Sequence, residues 1–442
     1  MENETIMSYN EILQLRNSGH IIEAYTAAKQ LFISDDKNIN NARLFALLAN
    51  ELTVYHAGQS DFDLCLSIIQ DFVLLSSIPS QEIGIYNHIA NSVRVFAQKL
   101  NEKPNPNLTK LDQCFDCIKT IPLYHAGLGF SILINTIFKI KSWSRLNEFA
   151  YWCGWEHLRN EDFEPFITQQ NTKIMALAEQ IAIKMAKYLL EKNIREDIIS
   201  FIPKLQELSK KYPKYTYPPY FLAKLYIAID QQDQAHEVLL PFVQKKSRDF
   251  WVWQLMAEIQ YETEKKVMYY AKALDCGSRK EDMLVALYEE AAGYFVQAEY
   301  YSMAKWMIEH ALQIRKRNNW RISPELQYIT RQAWFMNTTS SRESQYIKEQ
   351  ASMAEVEALG RVKMKTNRNH KPTAQNEEVS FEGTLKRNSA GFGFVKDKII
   401  GDVFIPQSII LNHQNGETIS GKATKRFDKK KQQWGYAAIK IN

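Results

Sequence analysis

The chain has few cysteines, no long apolar run and no leader-like start, and each absence closes off a class of function. Its five cysteines (Cys65, Cys114, Cys117, Cys153, Cys276) are scattered, too sparse for a disulfide framework, which fits reduced thiols in a cytoplasm. The most apolar stretch, Ala126 to Phe138, is interrupted by Ser131, Asn135 and Thr136. It falls short of the roughly 20 residues that a helical bilayer span requires. The start, Met1-Glu-Asn-Glu-Thr, is acidic and polar, so no signal peptide and no membrane association are expected.

Catalytic signatures are missing as well: there is no zincin helix, no nucleophile elbow and no carboxylate cluster of the exonuclease type. Gly416-Glu-Thr-Ile-Ser-Gly-Lys422 approaches a phosphate-binding loop. However, Ala423 stands where a hydroxyl would hold Mg²⁺, and no helix pattern follows. Cys114 and Cys117, with Cys153 and His157, would supply four zinc-type ligands. Their spacing matches no zinc module, and buried thiols are the simpler reading. The stretch from Trp152 to Glu164 gathers aromatics and acids around His157. With no second constellation to complete an acid–base site, it reads as helix packing beside a solvated turn. A protein without enzymatic activity, cofactor or metal is expected.

What is present suits two to three soluble domains: 442 residues, 45% hydrophobic and 24% charged. The net charge of +5 is unevenly spread. Residues 361–442 carry 16 Lys+Arg against 7 Asp+Glu, a net +9, and residues 1–360 carry a net −4. Positive charge concentrated at one end favours a polyanionic partner there, through phosphate neutralisation and counterion release.

Residues 1–360 read as helix after helix. Ile174, Leu177, Ile181, Met185, Tyr188 and Leu189 form one stripe and predict a helix over 171–192. Ser8 to Asn17 and Ile21 to Phe32, joined at Ser18-Gly19, form a helix pair. A repeat is clearest between residues 215 and 320. Ala235, Leu239, Phe242 and Val243 take a small–large–large spacing. Lys266, Tyr270, Ala273 and Leu274 repeat it with Lys266 in the small position, and Ala304, Ile308, Ala311 and Leu312 repeat it again. Tyr220 and Trp253 mark the matching first helices. The near-34-residue period resembles degenerate tetratricopeptide repeats. That resemblance implies an α-solenoid whose concave groove binds a protein partner. A further helix is expected from Ser341 to Leu359, then a basic, polar, flexible linker over 361–378.

Residues 379–442 change character. Phe381-Glu-Gly-Thr-Leu-Lys-Arg387, Ala390-Gly-Phe-Gly-Phe-Val395, Gly401-Asp-Val-Phe-Ile-Pro406, Gly416-Glu-Thr-Ile-Ser-Gly-Lys422 and Trp434-Gly-Tyr-Ala-Ala-Ile-Lys-Ile441 are short, alternating and rich in β-branched and aromatic residues. They predict five strands curled into a small barrel. A period of two puts Phe392 and Phe394 on one face, Phe404 joins them, and Val403 and Ile405 point the other way. Gly391 and Gly393 are read as leaving bare surface for flat bases to approach.

Gly391-Phe-Gly-Phe-Val395 and Asp402-Val-Phe-Ile405 resemble the two ribonucleoprotein motifs of cold-shock domains, in particular those of the terminator Rho and of RNase R type exoribonucleases. The resemblance covers about the last 60 residues. It implies an OB-type barrel that binds single-stranded RNA or DNA, without the catalytic domain of the exoribonucleases. Departures at Arg387, Ala390 and Pro406 imply weaker binding than in a free cold-shock protein. In that reading bases stack on Phe392, Phe394 and Phe404, with Trp434 or Tyr436 extending the platform. Lys386, Arg387, Lys396, Lys398, Lys425 and Lys440 neutralise phosphates, and Arg387 is also able to stack. The overall expectation is a helical solenoid followed by a β-barrel, acting as a nucleic-acid-binding adaptor. The alternative is a pure protein-interaction scaffold with a non-binding barrel.

Overall fold

The computed structural model describes residues 6–167, 171–360, 378–388, 392–410, 413–428 and 433–441. The chain divides into two compact units, Met1–Val362 and Lys363–Asn442. The first is mostly helical and the second is a closed five-stranded barrel. This is the α-then-β architecture that the sequence predicts.

The described residues of the first unit form α1 (Tyr9–Asn17), α2 (Ile21–Ser34), α3 (Ile39–Gln59), α4 (Phe62–Asp71), α5 (Ile83–Asn101), α6 (Leu108–Ile118), α7 (Leu128–Ile137), α8 (Leu146–Cys153), α9 (Leu177–Lys192), α10 (Arg195–Lys211), α11 (Pro218–Ala228), α12 (Gln232–Lys245), α13 (Phe250–Ile259), α14 (Thr263–Cys276), α15 (Val285–Gln297), α16 (Tyr301–Arg317), α17 (Pro324–Ile329), α18 (Ala333–Asn337) and α19 (Ser344–Leu359). Local chemistry sets many of their starts. Ser8 and Glu11 form a reciprocal capping box at α1, with the Ser8 N–H donating to the Glu11 carboxylate at 2.7 Å. Prolines open α11 and α17, where a missing N–H breaks no helical bond.

One helix starts later than its stripe suggests. Asn171 adopts a left-handed conformation (φ 58°). Beyond it, β2 (Lys173–Ile174) pairs antiparallel with β1 (Phe166–Ile167). α9 begins only at Leu177, so Ile174 lies exposed on a hairpin instead of on the helix stripe.

The helices between 218 and 317 pack as consecutive pairs, α11 with α12, α13 with α14, and α15 with α16. Ala235, Leu239, Phe242 and Val243 are buried in α12, and Ala304, Ile308 and Ala311 in α16. Lys266 stands in the small position in α14, with its ammonium 4.8 Å from the centre of the Tyr294 ring. α19 runs back to α14, burying Ile347, Ala351, Ala354 and Ala358. There the buried Lys272 pairs with Glu355 at 2.5 Å and Asp275 at 3.4 Å.

The barrel comprises β3 (Val379–Arg387), β4 (Gly393–Asp397), β5 (Gly401–Ile405), β6 (Thr418–Asp428) and β7 (Gln433–Ile441), closed in the order β3-β4-β5-β7-β6. The β5–β7 contact is parallel and the others are antiparallel. Its core includes Phe381, Leu385, Val395, Val403, Ile405 and Ile419, sealed by Ile410 of a short α20 (Gln407–Ile410). Gly393 belongs to this interior, contrary to its expected role as bare surface for bases. It shares the inward parity of Val395, and an added Cβ would come within 2.8 Å of Ile410 and Leu385. Gly391 lies outside the described residues.

Candidate nucleic-acid interface

The outward face of β4 and β5 is built by strand parity. Val395, Val403 and Ile405 are fully buried, so Phe394 and Phe404 must project outward, and they are 38% and 36% exposed. The register sets Phe394 directly opposite Phe404. Phe392 precedes β4, where its carbonyl accepts from the Asn388 N–H at 2.7 Å. The three rings form a compact triad. Centroids are 5.8 Å apart for Phe392–Phe394, 5.6 Å for Phe392–Phe404 and 5.6 Å for Phe394–Phe404, all steeply inclined. Tilted and edge-to-face contacts satisfy the ring quadrupoles while leaving π-surface toward solvent.

Lysines border the triad. Lys386 lies opposite Phe394 across β3–β4, and Lys396 lies opposite Asp402 across β4–β5. Lys398 stands in the β4–β5 turn beside Ile399, which is 92% exposed. Among the described residues none of these three lysines forms an ion pair, which leaves their charge available to a ligand. The turn itself is held by Asp397, whose carboxylate accepts from the N–H groups of Glu382 (2.9 Å), Ile399 (2.7 Å) and Ile400 (3.0 Å). Those three bonds favour the charged carboxylate and lower its pKa.

Arg387, Tyr436 and Lys440, also expected at this face, do not join the ring triad. Arg387 shares the parity of Leu385, and its guanidinium donates to the His413 carbonyl at 2.9 Å, which ties it to the neighbouring loop. Tyr436 pairs with Val403 in the parallel β5–β7 ladder, so it turns inward and packs against the barrel core. Lys440 lies opposite Lys422, beyond a register shift at Lys422/Ala423, and Lys422 pairs with Glu378 at 3.1 Å. Since Phe404 is level with Ala437, Lys440 is about 10 Å further along β7 than the rings. Lys425 and Trp434 lie in β6 and β7, but their side chains fall outside the described residues.

Residues 379–441 match the S1/CSD-like domain 2 of the TOTE conflict systems. This fits the closed barrel and the cold-shock-like motifs. Residues 216–354 match a Domain of unknown function (DUF7017). No curated protein matches the chain.

In the helical unit, the residues weighed for chemistry have structural partners. Asp162 is buried, accepting from Ser131 Oγ at 2.6 Å and from Arg159 at 2.8 Å. His157 stacks on Tyr124, with centroids 4.0 Å apart. Cys114 and Cys153 are buried, and burial pushes both thiols well above the usual range, so they stay protonated. Among the described residues no group of three or more His, Cys, Asp or Glu is placed to hold a metal ion. No described helix is long and apolar enough to cross a membrane.

Proposed function

We propose that the protein is a non-enzymatic adaptor whose barrel binds single-stranded RNA or DNA while its helical unit holds a protein partner. The observation that carries this reading is the triad of exposed Phe394 and Phe404 with half-buried Phe392, bordered by unpaired lysines. Rings exposed beside unpaired cations provide a stacking platform for bases and contacts for the intervening phosphates. Duplex DNA fits poorly, because its bases already stack on one another. The S1/CSD-like match supports nucleic-acid binding by the barrel, and the association of that family with TOTE conflict systems suggests a setting in biological conflict. Five scattered cysteines in 442 residues suit a cytoplasmic location.

The test is fluorescence anisotropy of the full chain with a labelled single-stranded oligonucleotide over a salt series. The wild type should bind, and the Phe392→Ala/Phe394→Ala/Phe404→Ala variant should lose most of its affinity at every salt concentration. Equal affinity in the triple variant, with the barrel still folded by circular dichroism, would refute the assignment. A second reading, a scaffold with a non-binding barrel, is favoured by Arg387 and Tyr436 both lying off the aromatic face. It predicts no measurable binding by the wild type even at low salt.

A further inference from the structure

The helical unit contains an open cavity of about 730 Å³ between α9, α11 and the start of α13. Its apolar lining includes Ile183 and Leu190 of α9, Tyr220 and Phe221 of α11, and Trp251 of α13. Tyr220 and Trp251 meet edge to face with centroids 4.9 Å apart, which fixes both rings as a preformed floor. Met175 lines the same cavity and directly follows the β1–β2 hairpin, whose Phe166, Ile167 and Ile174 are all exposed. Met175 thus brings the cavity lining to within one residue of this exposed hairpin.

The lining carries two lysines, Lys187 and Lys224, against one carboxylate, Glu191. Glu191 is engaged, accepting from Asn147 Nδ2 at 2.6 Å. Lys187 and Lys224 have no ion-pair partner among the described residues, and Lys224 lies over the Tyr220 ring, 5.6 Å from its centre. Two ammonium groups at the edge of an aromatic floor suit a ligand with one carboxylate next to a bulky apolar group. They suit a polyphosphate chain less well. Such a chain needs several phosphate contacts, and residues 1–360 carry a net −4.

We propose that this cavity is the docking site for a short acidic segment of a partner protein. An aromatic or large aliphatic side chain would seat on Tyr220, Phe221 and Trp251, and a neighbouring Asp or Glu would pair with Lys187 and Lys224. The proposal rests on the adaptor reading of the helical unit. It is independent of the barrel, which the oligonucleotide assay tests separately, so either reading can fail alone.

The experiment pans a random dodecapeptide phage library against the full-length chain and against its Lys187→Glu/Lys224→Glu variant. Wild type should enrich peptides that carry Trp, Phe, Leu or Met within three positions of an acid. A synthetic representative should bind wild type about tenfold or more tightly than the variant, the scale of one close charge pair. Replacing that peptide's acid by lysine should weaken binding to wild type and restore it to the variant. This exchange of partners cannot arise from misfolding. Trp251→Ala should weaken both cognate pairs. Failure to enrich acidic–apolar peptides, winners that bind both proteins equally, or displacement of the winners by a single-stranded oligonucleotide would each overturn the proposal.

Discussion

Removing the ring of Phe394 probes the aromatic face at its centre. This residue lies opposite Phe404 on one side and Lys386 on the other, and its ring contacts both other members of the triad. Phe394→Ala deletes one stacking surface, which should weaken single-strand binding by about 1–3 kcal/mol, or roughly 5- to 150-fold in Kd. It also removes two ring contacts worth about 0.5–1.5 kcal/mol each, so the barrel should lose about 1–3 kcal/mol of stability as well. The two effects are separable. Anisotropy is measured well below the melting midpoint of the variant, and Phe394→Leu keeps most of the apolar area while removing the π-face. The lost affinity should be similar at low and high salt, because stacking is not screened. A folded Phe394→Ala protein with wild-type affinity would show that the ring serves the barrel alone.

Three further outcomes follow from the same geometry. Lys386→Ala and Lys396→Ala should each weaken binding modestly and reduce the slope of log Kobs against log salt by about 0.7, one phosphate contact on a single strand; an unchanged slope would remove that lysine from the interface. Burial and the nearby Glu290 raise the Glu258 carboxyl from its ordinary 4.5 to about 7, so the folded state keeps a proton that the unfolded state releases. The resulting penalty is absent below about pH 4.5 and complete above about pH 7, and Glu258→Gln should therefore stabilise the protein at pH 8 by about 1–3 kcal/mol and not at pH 4; denaturant melts showing the same difference at both pH values would contradict this. Gly421→Ala would set a Cβ 3.0 Å from the Phe381 ring and against the Lys440 backbone, and the overpacking should cost the barrel about 1–3 kcal/mol in thermal melts.

The aromatic face was legible in the sequence because alternation alone separates Phe394 and Phe404 from Val395, Val403 and Ile405. Alternation sets parity within one strand but says nothing about how strands are paired. Parity alone therefore does not place Tyr436, which the sequence offers, with Trp434, as an extension of the platform. The orientation of Tyr436 depends on parallel pairing with Val403, between segments more than 30 residues apart. Lys440 depends on a one-residue register shift, and Arg387 on a carbonyl contributed by the loop at His413. In the helical unit the stripe of α9 could be read from residue spacing, whereas its start could not, because the left-handed turn at Asn171 diverts the preceding residues into a hairpin. The cavity at Tyr220 and Trp251 left no local signature either, since three separate helices supply its lining.

The return of α19 to α14 changes how the helical unit should come apart. Linear repeat arrays fray from their ends, because each unit contacts only its neighbours. Here the last helix closes a chain segment of about 70 residues onto α14, with small side chains at the seam and the Lys272–Glu355 pair within it. The helices from α15 to α18 lie inside that closure, so none of them is a free end. Hydrogen exchange across α14 to α19 should therefore register as a single cooperative opening, and protection of α15 should depend on a salt bridge that it does not itself contain.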